Sequence, residues 1–170
     1  GMTRMQTTGN IVDDLPEEDR VLTDLTWLES RFRGVMPFEV LIDAGKPGQI
    51  LNASNLRRIV RFQNLLQSYP EFSRSLSAVD AVKFGVQAFY GGDPERYRLP
   101  SRQERSFMAP YFRGSESAAE NIDDANAVTS NFVDSSRTVT RISANMADVG
   151  TLEMETLMSE LQPRICLLYT

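Results

Sequence analysis

The sequence of 170 residues predicts an α+β fold. Stretches in which apolar residues recur every three or four positions are separated by short runs rich in β-branched and aromatic residues. Prolines, glycines and capping residues stand between the two kinds of segment. Late in the chain, polar and apolar residues alternate strictly, as in a strand with one buried face. The length suits one domain or two small subdomains that share a core.

The N-terminal part predicts an extended lead-in at 1–15 and a helix at 16–33. Asp14 is placed to cap this helix, and Pro16 suits its first turn. Gly34 then predicts a left-handed stop. The apolar residues of the helix fall four, three and four positions apart and predict one stripe, which consists of Val21, Leu25, Leu28 and Phe32.

The first strand–helix–strand unit follows this helix, so that the two together span 16–76. A strand is predicted at 36–43, because its residues suit a pleated, half-buried surface. A helix at 54–69 ends before Pro70, and a short strand is predicted at 72–76. The apolar side of the helix consists of Leu56, Ile59, Val60, Phe62, Leu65, Leu66 and Tyr69.

A helical insertion is predicted at 77–112. Ser77 opens its first helix, and the pair Gly91 and Gly92 ends it. The apolar stripe of this helix has residues that recur at three- and four-residue spacing, namely Val79, Val82, Val86, Phe89 and Tyr90.

The second helix of the insertion is predicted to begin with a capping box formed by Ser101 and Glu104. Pro110 is expected to break or bend it. Its aromatic-rich cluster has two interpretations, a local core, which we favour, and a contact surface for a lipid or a drug. The cluster consists of Phe107, Met108, Tyr111 and Phe112.

Residues 113–130 are small, polar and acidic and predict a linker, and a second strand–helix–strand unit follows at 131–170. Residues 134–137 predict a hairpin turn. Beyond the turn, one face of a strand is predicted to hold Thr140, Ile142, Ala144 and Met146, and the other Arg141, Ser143 and Asn145. Gly150 and Thr151 begin a last helix with the stripe Met154, Leu157, Met158, Leu161 and Ile165, and 166–169 predicts a final strand.

Two such units indicate a sandwich of the ferredoxin-like kind, with an added N-terminal helix and a helical insertion.

The amino-acid composition argues against several classes of partner and cofactor. The net charge is −5 and the pI is about 4.8, which argues against a nucleic-acid partner. Three arginines on one helix, Arg57, Arg58 and Arg61, are expected to form a solvated face. The chain has no histidine and a single cysteine, Cys166, so we expect no metal and no cofactor, and no disulfide can form within the chain.

We expect no enzymatic activity and name no catalytic residue. The acidic pairs lie at a helix start, Asp13 with Asp14, and in the linker, Asp123 with Asp124, where capping and solvation explain them. The only lysines, Lys46 and Lys83, show no serine at a catalytic spacing. The sequence leaves any substrate-binding residues undetermined.

No apolar run approaches the roughly 20 residues that span a bilayer. The N-terminus lacks the charged and then apolar layout of a signal peptide. Gly1 before Met2 resembles the remnant of a cleaved tag, which predicts a reading frame from Met2 without an export signal. A chain expressed in that form would be cytoplasmic.

Several segments together resemble an exporter family. They are DDLPEEDRVLTDLTWLESRFRGVMPFEVLID, LRRI, SLSAVDAVKF, AFYGGDPERYRLPS and TVTRISANMADVGT. In this order and spacing they resemble the segment after the first membrane helix in the resistance-nodulation-division (RND) superfamily, in its MmpL-like and hopanoid- or lipid-exporting branch. The resemblance covers nearly the whole chain, although no single motif is diagnostic.

The resemblance implies a porter domain at the periplasmic face of the inner membrane. Such a domain handles hydrophobic or amphiphilic substrates while proton flow through the membrane portion drives transport. This chain has no predicted membrane helix, so no proton-relay residue carries over and the chain is not transport-competent alone. The implied partners are the membrane portion of the exporter and a lipid or amphiphile. The family chain continues through another strand beyond this point, so the resemblance also implies that the final strand here is incomplete. Its exposed edge would invite pairing with a second copy, and we expect self-association through that edge. The alternative is a free-standing ferredoxin-like module that binds a protein or a small molecule.

Overall fold

A computed structural model describes residues 16, 18–113 and 131–169, with the backbone alone described at 109–113 and 167–169. The described residues form 5 α-helices and a two-stranded antiparallel sheet, which confirms the α+β class. In chain order the elements are α1 Arg20–Phe32, β1 Met36–Asp43, α2 Ala53–Gln67, α3 Ala78–Phe89, a 3₁₀ turn at Pro94–Arg96, α4 Arg102–Arg113, β2 Val139–Met146 and α5 Gly150–Tyr169.

The sheet consists of β1 and β2, which run antiparallel. The predicted strand at 72–76 is present as an extended segment, and it forms antiparallel bridges to β2 at Phe72 and Leu76. Leu76 and Ser143 exchange both backbone hydrogen bonds, at 2.7 and 2.9 Å. Alternate residues of an antiparallel strand bond to opposite edges. The 72–76 segment therefore lies at the edge of β2 that faces away from β1.

The chain divides into two compact units, each assembled from segments that are distant in sequence. The first holds the chain up to Phe38, Arg61–Ser75 and the chain from Ala144 onward; the second holds Glu39–Val60 and Leu76–Ser143. The first unit buries Phe62, Leu66, Phe72, Ala144, Met146, Leu157 and Leu161. The second buries Ile42, Ile50, Leu56, Ile59, Ala78, Val79, Ala81, Val82, Val86, Met108 and Ile142. The segment boundaries expected from the sequence remain predictions.

Helix α1 starts later than predicted, and its stripe is exposed. Asp19 is the N-cap and accepts the Val21 N–H, whereas Pro16 accepts the Asp19 N–H in a turn before the helix. Asp14 and the rest of the lead-in lie outside the described residues. None of the residues of α1 is buried. Within the predicted stripe, Val21, Leu28 and Phe32 are exposed and Leu25 is half-buried. The other half-buried residues of the helix are Leu22 and Glu29.

The end of α1 also differs in detail from the prediction. The left-handed C-cap residue is Arg33, with φ 55°, and Gly34 follows with φ 115°. A Cβ at Gly34 would lie 2.2 Å from the carbonyl carbon of Met146, closer than any side chain tolerates. Glycine is therefore required at this position both by its backbone conformation and by the close approach of β2.

The helices of the second unit begin as predicted. Ser77 caps α3, and Asp80 completes a capping box. Gly91 and Gly92 follow the helix with positive φ. Ser101 and Glu104 form the predicted capping box of α4, since Glu104 Oε2 accepts the Ser101 N–H at 2.7 Å and Ser101 Oγ accepts the Glu104 N–H at 3.3 Å.

Helix α4 passes position 110 and is described as far as Arg113, so Pro110 does not break it. Position 113, where the linker was predicted to begin, is thus helical, and the remainder of the linker lies outside the described residues.

Strand β2 and its hairpin agree with the prediction. Its residues alternate so that Thr140, Ile142, Ala144 and Met146 are buried. The turn before it is closed by a 2.9 Å bond from the Arg137 N–H to the Asp134 carbonyl, and Val133 pairs with Thr140.

The predicted final strand at 166–169 is wrong, because α5 continues through Pro163 to Tyr169. Among the side chains of α5 that the structure describes, Leu157 and Leu161 are buried, which confirms part of the predicted stripe. An apolar run of this length cannot be assigned to a strand or a helix from periodicity alone. Without that strand, the edge on which we based the expected self-association does not exist. The sheet instead has a different open edge, at β1, in the described part of the chain.

Candidate functional site

The aromatic-rich cluster predicted in α4 divides between core and surface. Met108 is 2% exposed and belongs to the core, as favoured from the sequence. Phe107 is 72% exposed and lies on the surface. The side chains of Tyr111 and Phe112 lie outside the described residues. The core interpretation is therefore confirmed for Met108, and a contact with a lipid or a drug stays a prediction for the exposed Phe107.

A pair of exposed rings stands at the end of α3. Phe89 and Tyr90 are 47% and 38% exposed, and their ring centroids lie 5.3 Å apart in an edge-to-face arrangement. Both belong to the apolar stripe predicted for α3. Its other members, Val79, Val82 and Val86, are buried, so the stripe leaves the core only at the last turn of the helix.

A guanidinium group lies against the Tyr90 ring. The Cζ of Arg96 is 4.5 Å from the centroid of the Tyr90 ring, which is a cation–π contact. Arg96 also lies 3.8 Å from the carboxylate of Asp93, but both side chains are more than 40% exposed, so this ion pair contributes little. Positive charge and aromatic surface therefore adjoin each other at the end of α3.

Glu104 anchors this surface from α4. Arg98 donates to both of its oxygens, at 2.7 and 2.8 Å, and Tyr90 Oη donates to Oε1 at 2.8 Å. The bonds from Arg98, and then those from Ser101, hold the pKa of the Glu104 carboxyl well below its ordinary range. The hydrogen bond to Glu104 in turn raises the pKa of Tyr90 above its ordinary value. Glu104 therefore stays ionised and fixes the Tyr90 ring in one orientation.

The loop that carries Arg96 is held at a second point. Tyr97 Oη donates to Asp80 Oδ1 at 3.0 Å, and Lys83 Nζ lies 5.6 Å from the Tyr97 ring centroid. Asp80 stands in the first turn of α3 and Tyr90 directly after its last residue. The 3₁₀ turn is thus tied near both ends of α3, which positions Arg96 against Tyr90.

We define the aromatic surface by Phe89, Tyr90, Phe107 and Arg96. Phe107 lies one helical turn beyond Glu104, on the same side of α4. Exposed rings beside a cation can bind a molecule that has an apolar body and a negative or polar head. The Glu104 oxygens already accept four hydrogen bonds, so this carboxylate is poorly suited to act as a base.

The other residues considered from the sequence do not join this surface in any observed contact. Arg57 and Arg61 are exposed and Arg58 is half-buried, in agreement with a solvated face. Cys166 is exposed, and Lys46 lies in an exposed turn. The pairs Asp13–Asp14 and Asp123–Asp124 lie outside the described residues. Within the described ranges, no group of three or more acidic, cysteine or histidine side chains is arranged to hold a metal ion.

Reasoning from the sequence missed the contact between Arg96 and the Tyr90 ring. A signal was available, since an aromatic pair followed by two glycines returns the chain toward the helix end, and DPERYRLP alternates basic and aromatic residues.

Comparison with known proteins does not assign the chain to a family, because no family model, curated protein or solved structure matches it. The exporter resemblance therefore stays a prediction. Among the helices that the structure describes, none combines the length and the apolar character needed to cross a bilayer.

Proposed function

We propose that this chain is a porter-type domain of an RND-like exporter and that its aromatic surface contacts amphiphilic substrates. One observation carries the proposal. The rings of Phe89 and Tyr90 are exposed, pack edge to face and have the Arg96 guanidinium stacked on one of them. In this proposal the domain acts outside the membrane beside the membrane portion of the exporter, and it does not transport alone.

The chemistry of the surface suits an anionic amphiphile. Aromatic side chains remove large apolar areas of a ligand from water. A guanidinium forms charge-assisted bonds to a carboxylate or a phosphate. Because Glu104 and Asp80 hold the surrounding side chains in place, little conformational entropy would be lost on binding.

The strand arrangement supports the finer fold proposal. β2 lies between β1 and the 72–76 segment, and all its pairings are antiparallel. Apart from the inserted α3 and α4, the chain order is β1, α2, the 72–76 segment, β2 and α5. This order, with the third strand between the first two in the sheet, corresponds to the first three strands and two helices of a ferredoxin-like unit. Since α5 occupies the end of the chain, a fourth strand at 166–169 is not part of this proposal.

Calorimetric titration with oleate and with the uncharged oleyl alcohol, both below their aggregation concentrations, tests substrate handling. Phe89→Ala should weaken the binding of both probes by about fivefold, which corresponds to roughly 1 kcal/mol of lost apolar contact. Arg96→Gln should weaken the binding of oleate only. Phe84→Ala is the matched control, because Phe84 is an exposed phenylalanine on another side of the same helix.

Absence of oleate binding, or equal losses in Phe84→Ala and Phe89→Ala, would refute the amphiphile proposal. The exporter part is tested separately. A reading frame for membrane helices next to the encoding DNA supports it, and a gene without such neighbours favours the free-standing module.

A further inference from the structure

The open edge of β1 offers a second binding surface, distinct from the aromatic surface. In the part of the chain that the structure describes, β1 has β2 as its sheet neighbour on one side and no strand on the other. Pro37 lies in this strand. Proline cannot donate to a ladder and is confined to edge strands, so its presence agrees with an edge position.

The backbone groups that face outward can be identified from the strand alternation. The Ala44 N–H donates to the Thr138 carbonyl at 2.9 Å, immediately beyond the ends of β1 and β2. Alternate residues point their N–H and C=O groups to opposite edges. The N–H and C=O groups of Glu39, Leu41 and Asp43 therefore point away from β2.

The side chains of the same three residues are exposed. Leu41 is 71% exposed, an unusual state for a leucine in the middle of a strand. Along the open edge of β1, the apolar side chain of Leu41 thus stands between the carboxylates of Glu39 and Asp43, each two residues away.

Both carboxylates are already oriented. Glu39 Oε1 lies 3.4 Å from Arg141 Nη1 and accepts the Ser143 hydroxyl at 3.3 Å. Asp43 Oδ1 accepts the Gly45 N–H at 2.7 Å. The hydrogen bonds use one oxygen of each group, and among the described residues Glu39 Oε2 and Asp43 Oδ2 accept no hydrogen bond. Each second oxygen can receive a donor from a bound strand.

We propose that β1 binds an extended segment of another protein by strand addition, in which two basic residues flank an apolar residue at alternate positions. The backbone of the segment would bond to Glu39, Leu41 and Asp43. Its apolar side chain would pack on Leu41, and its basic side chains would face the two carboxylates. The charge of the edge is the basis for this choice of partner, because β1 has two acidic residues and no basic one.

A second copy of the chain fits this edge less well. Pairing two β1 strands would bring four carboxylates onto one short face, and with Leu41 opposite its own copy, Glu39 would stand opposite Asp43. A basic strand removes this repulsion.

The test is a titration of the full chain with the peptide acetyl-Thr-Lys-Thr-Val-Thr-Lys-Thr-amide at low ionic strength. Leu41→Pro removes an outward N–H without removing a bond to β2, and it should abolish detectable binding. The double variant Glu39→Gln with Asp43→Asn keeps the acceptors for Ser143 and Gly45 but removes both charges. It should bind roughly five- to tenfold more weakly.

Three controls separate the outcomes. Glu155→Gln, an exposed carboxylate on α5, should bind the peptide like the unmodified chain. Circular dichroism checks that Leu41→Pro is folded, and its oleate titration should be unchanged, so the two binding proposals fail independently. Equal binding of a peptide with glutamates in place of lysines, or full binding by the double variant, overturns the proposal. So does a dimer that Leu41→Pro dissociates, since a second copy would then occupy the edge.

Discussion

Helix α1 and the α3–α4 pair expose similar side chains, but the two regions differ in how many residues they bury. Each exposes aromatic rings beside an arginine, since Arg31 lies 5.5 Å from the Trp27 ring and Arg96 lies 4.5 Å from the Tyr90 ring. Helix α1 buries none of its residues. Helix α3 buries five, which are Ala78, Val79, Ala81, Val82 and Val86.

The difference also extends to the ends of the helices. The N-terminus of α1 depends on the single cap Asp19, and Glu29 Oε1 accepts the Asp148 N–H at 3.0 Å as a tether. Helices α3 and α4 both begin with reciprocal capping boxes. Exposed apolar area is common on proteins. It becomes a good binding surface when its side chains are already held in place, and for that reason we place the candidate site at α3–α4.

The largest expected effect is on the core behind the aromatic surface. Met108→Ala should lower the free energy of unfolding by about 2–5 kcal/mol, because it removes a buried side chain and leaves a cavity. Urea denaturation measures the change. Replacement of the adjacent exposed Phe107 by Ala is the control, and a loss as large as that of Met108→Ala would contradict the division of this cluster into core and surface.

A smaller effect is expected when the Glu104 anchor is removed, and it should depend on pH. The folded state lowers the pKa of Glu104, so its stabilisation is fully present above the ordinary pKa of a glutamate, about 4.3, and is lost as the pH falls below that value. Glu104→Gln should therefore be less stable than the unmodified chain at pH 6, and the difference should shrink by pH 3.

Urea denaturation at several pH values provides this measurement. The pKa of Asp134 is also lowered, chiefly by the Ser136 hydroxyl and the Val139 N–H, and this group contributes equally in both proteins. A difference between the two proteins that does not change with pH would show that the Glu104 charge is not what anchors Tyr90.

The cap of α1 should have a still smaller effect. Asp19→Ala leaves the Val21 N–H without its side-chain acceptor and should cost about 1 kcal/mol. Asp19→Asn retains the acceptor and is the matched control. Because α1 buries no residue, the loss should appear as fraying of α1, measured as faster amide hydrogen exchange in that helix. Equally faster exchange in α3 would contradict the difference in packing between α1 and the α3–α4 pair.

The smallest effect is expected on the exposed face of α1. Phe32→Ala should change the free energy of unfolding by no more than about 0.5 kcal/mol, because the side chain is already in solvent. Thermal denaturation measures this change. Phe62→Ala, which removes a buried ring in α2, is the comparison variant and should lose much more stability. A loss of several kcal/mol at Phe32 would mean that the stripe predicted from the sequence packs after all.

The sequence alone determined the type and approximate position of most elements. Local signals suffice for this, because the Ser77 cap, the capping box at Ser101 and the alternation along β2 act within a few residues. It also indicated which side of α2 is apolar, and Leu56, Ile59, Phe62 and Leu66 are buried there. The start of α1 was misplaced, because several acidic residues precede it and the sequence does not show which of them caps the helix.

Only the tertiary structure decided which apolar residues are covered. The stripes of α1 and α2 look alike in sequence, yet one is exposed, since burial depends on what the rest of the chain places against a helix. The same holds at 166–169, where an apolar run continues a helix rather than forming a strand. The contact of Arg96 with Tyr90 and the open edge at Leu41 likewise depend on segments that meet only in the folded chain.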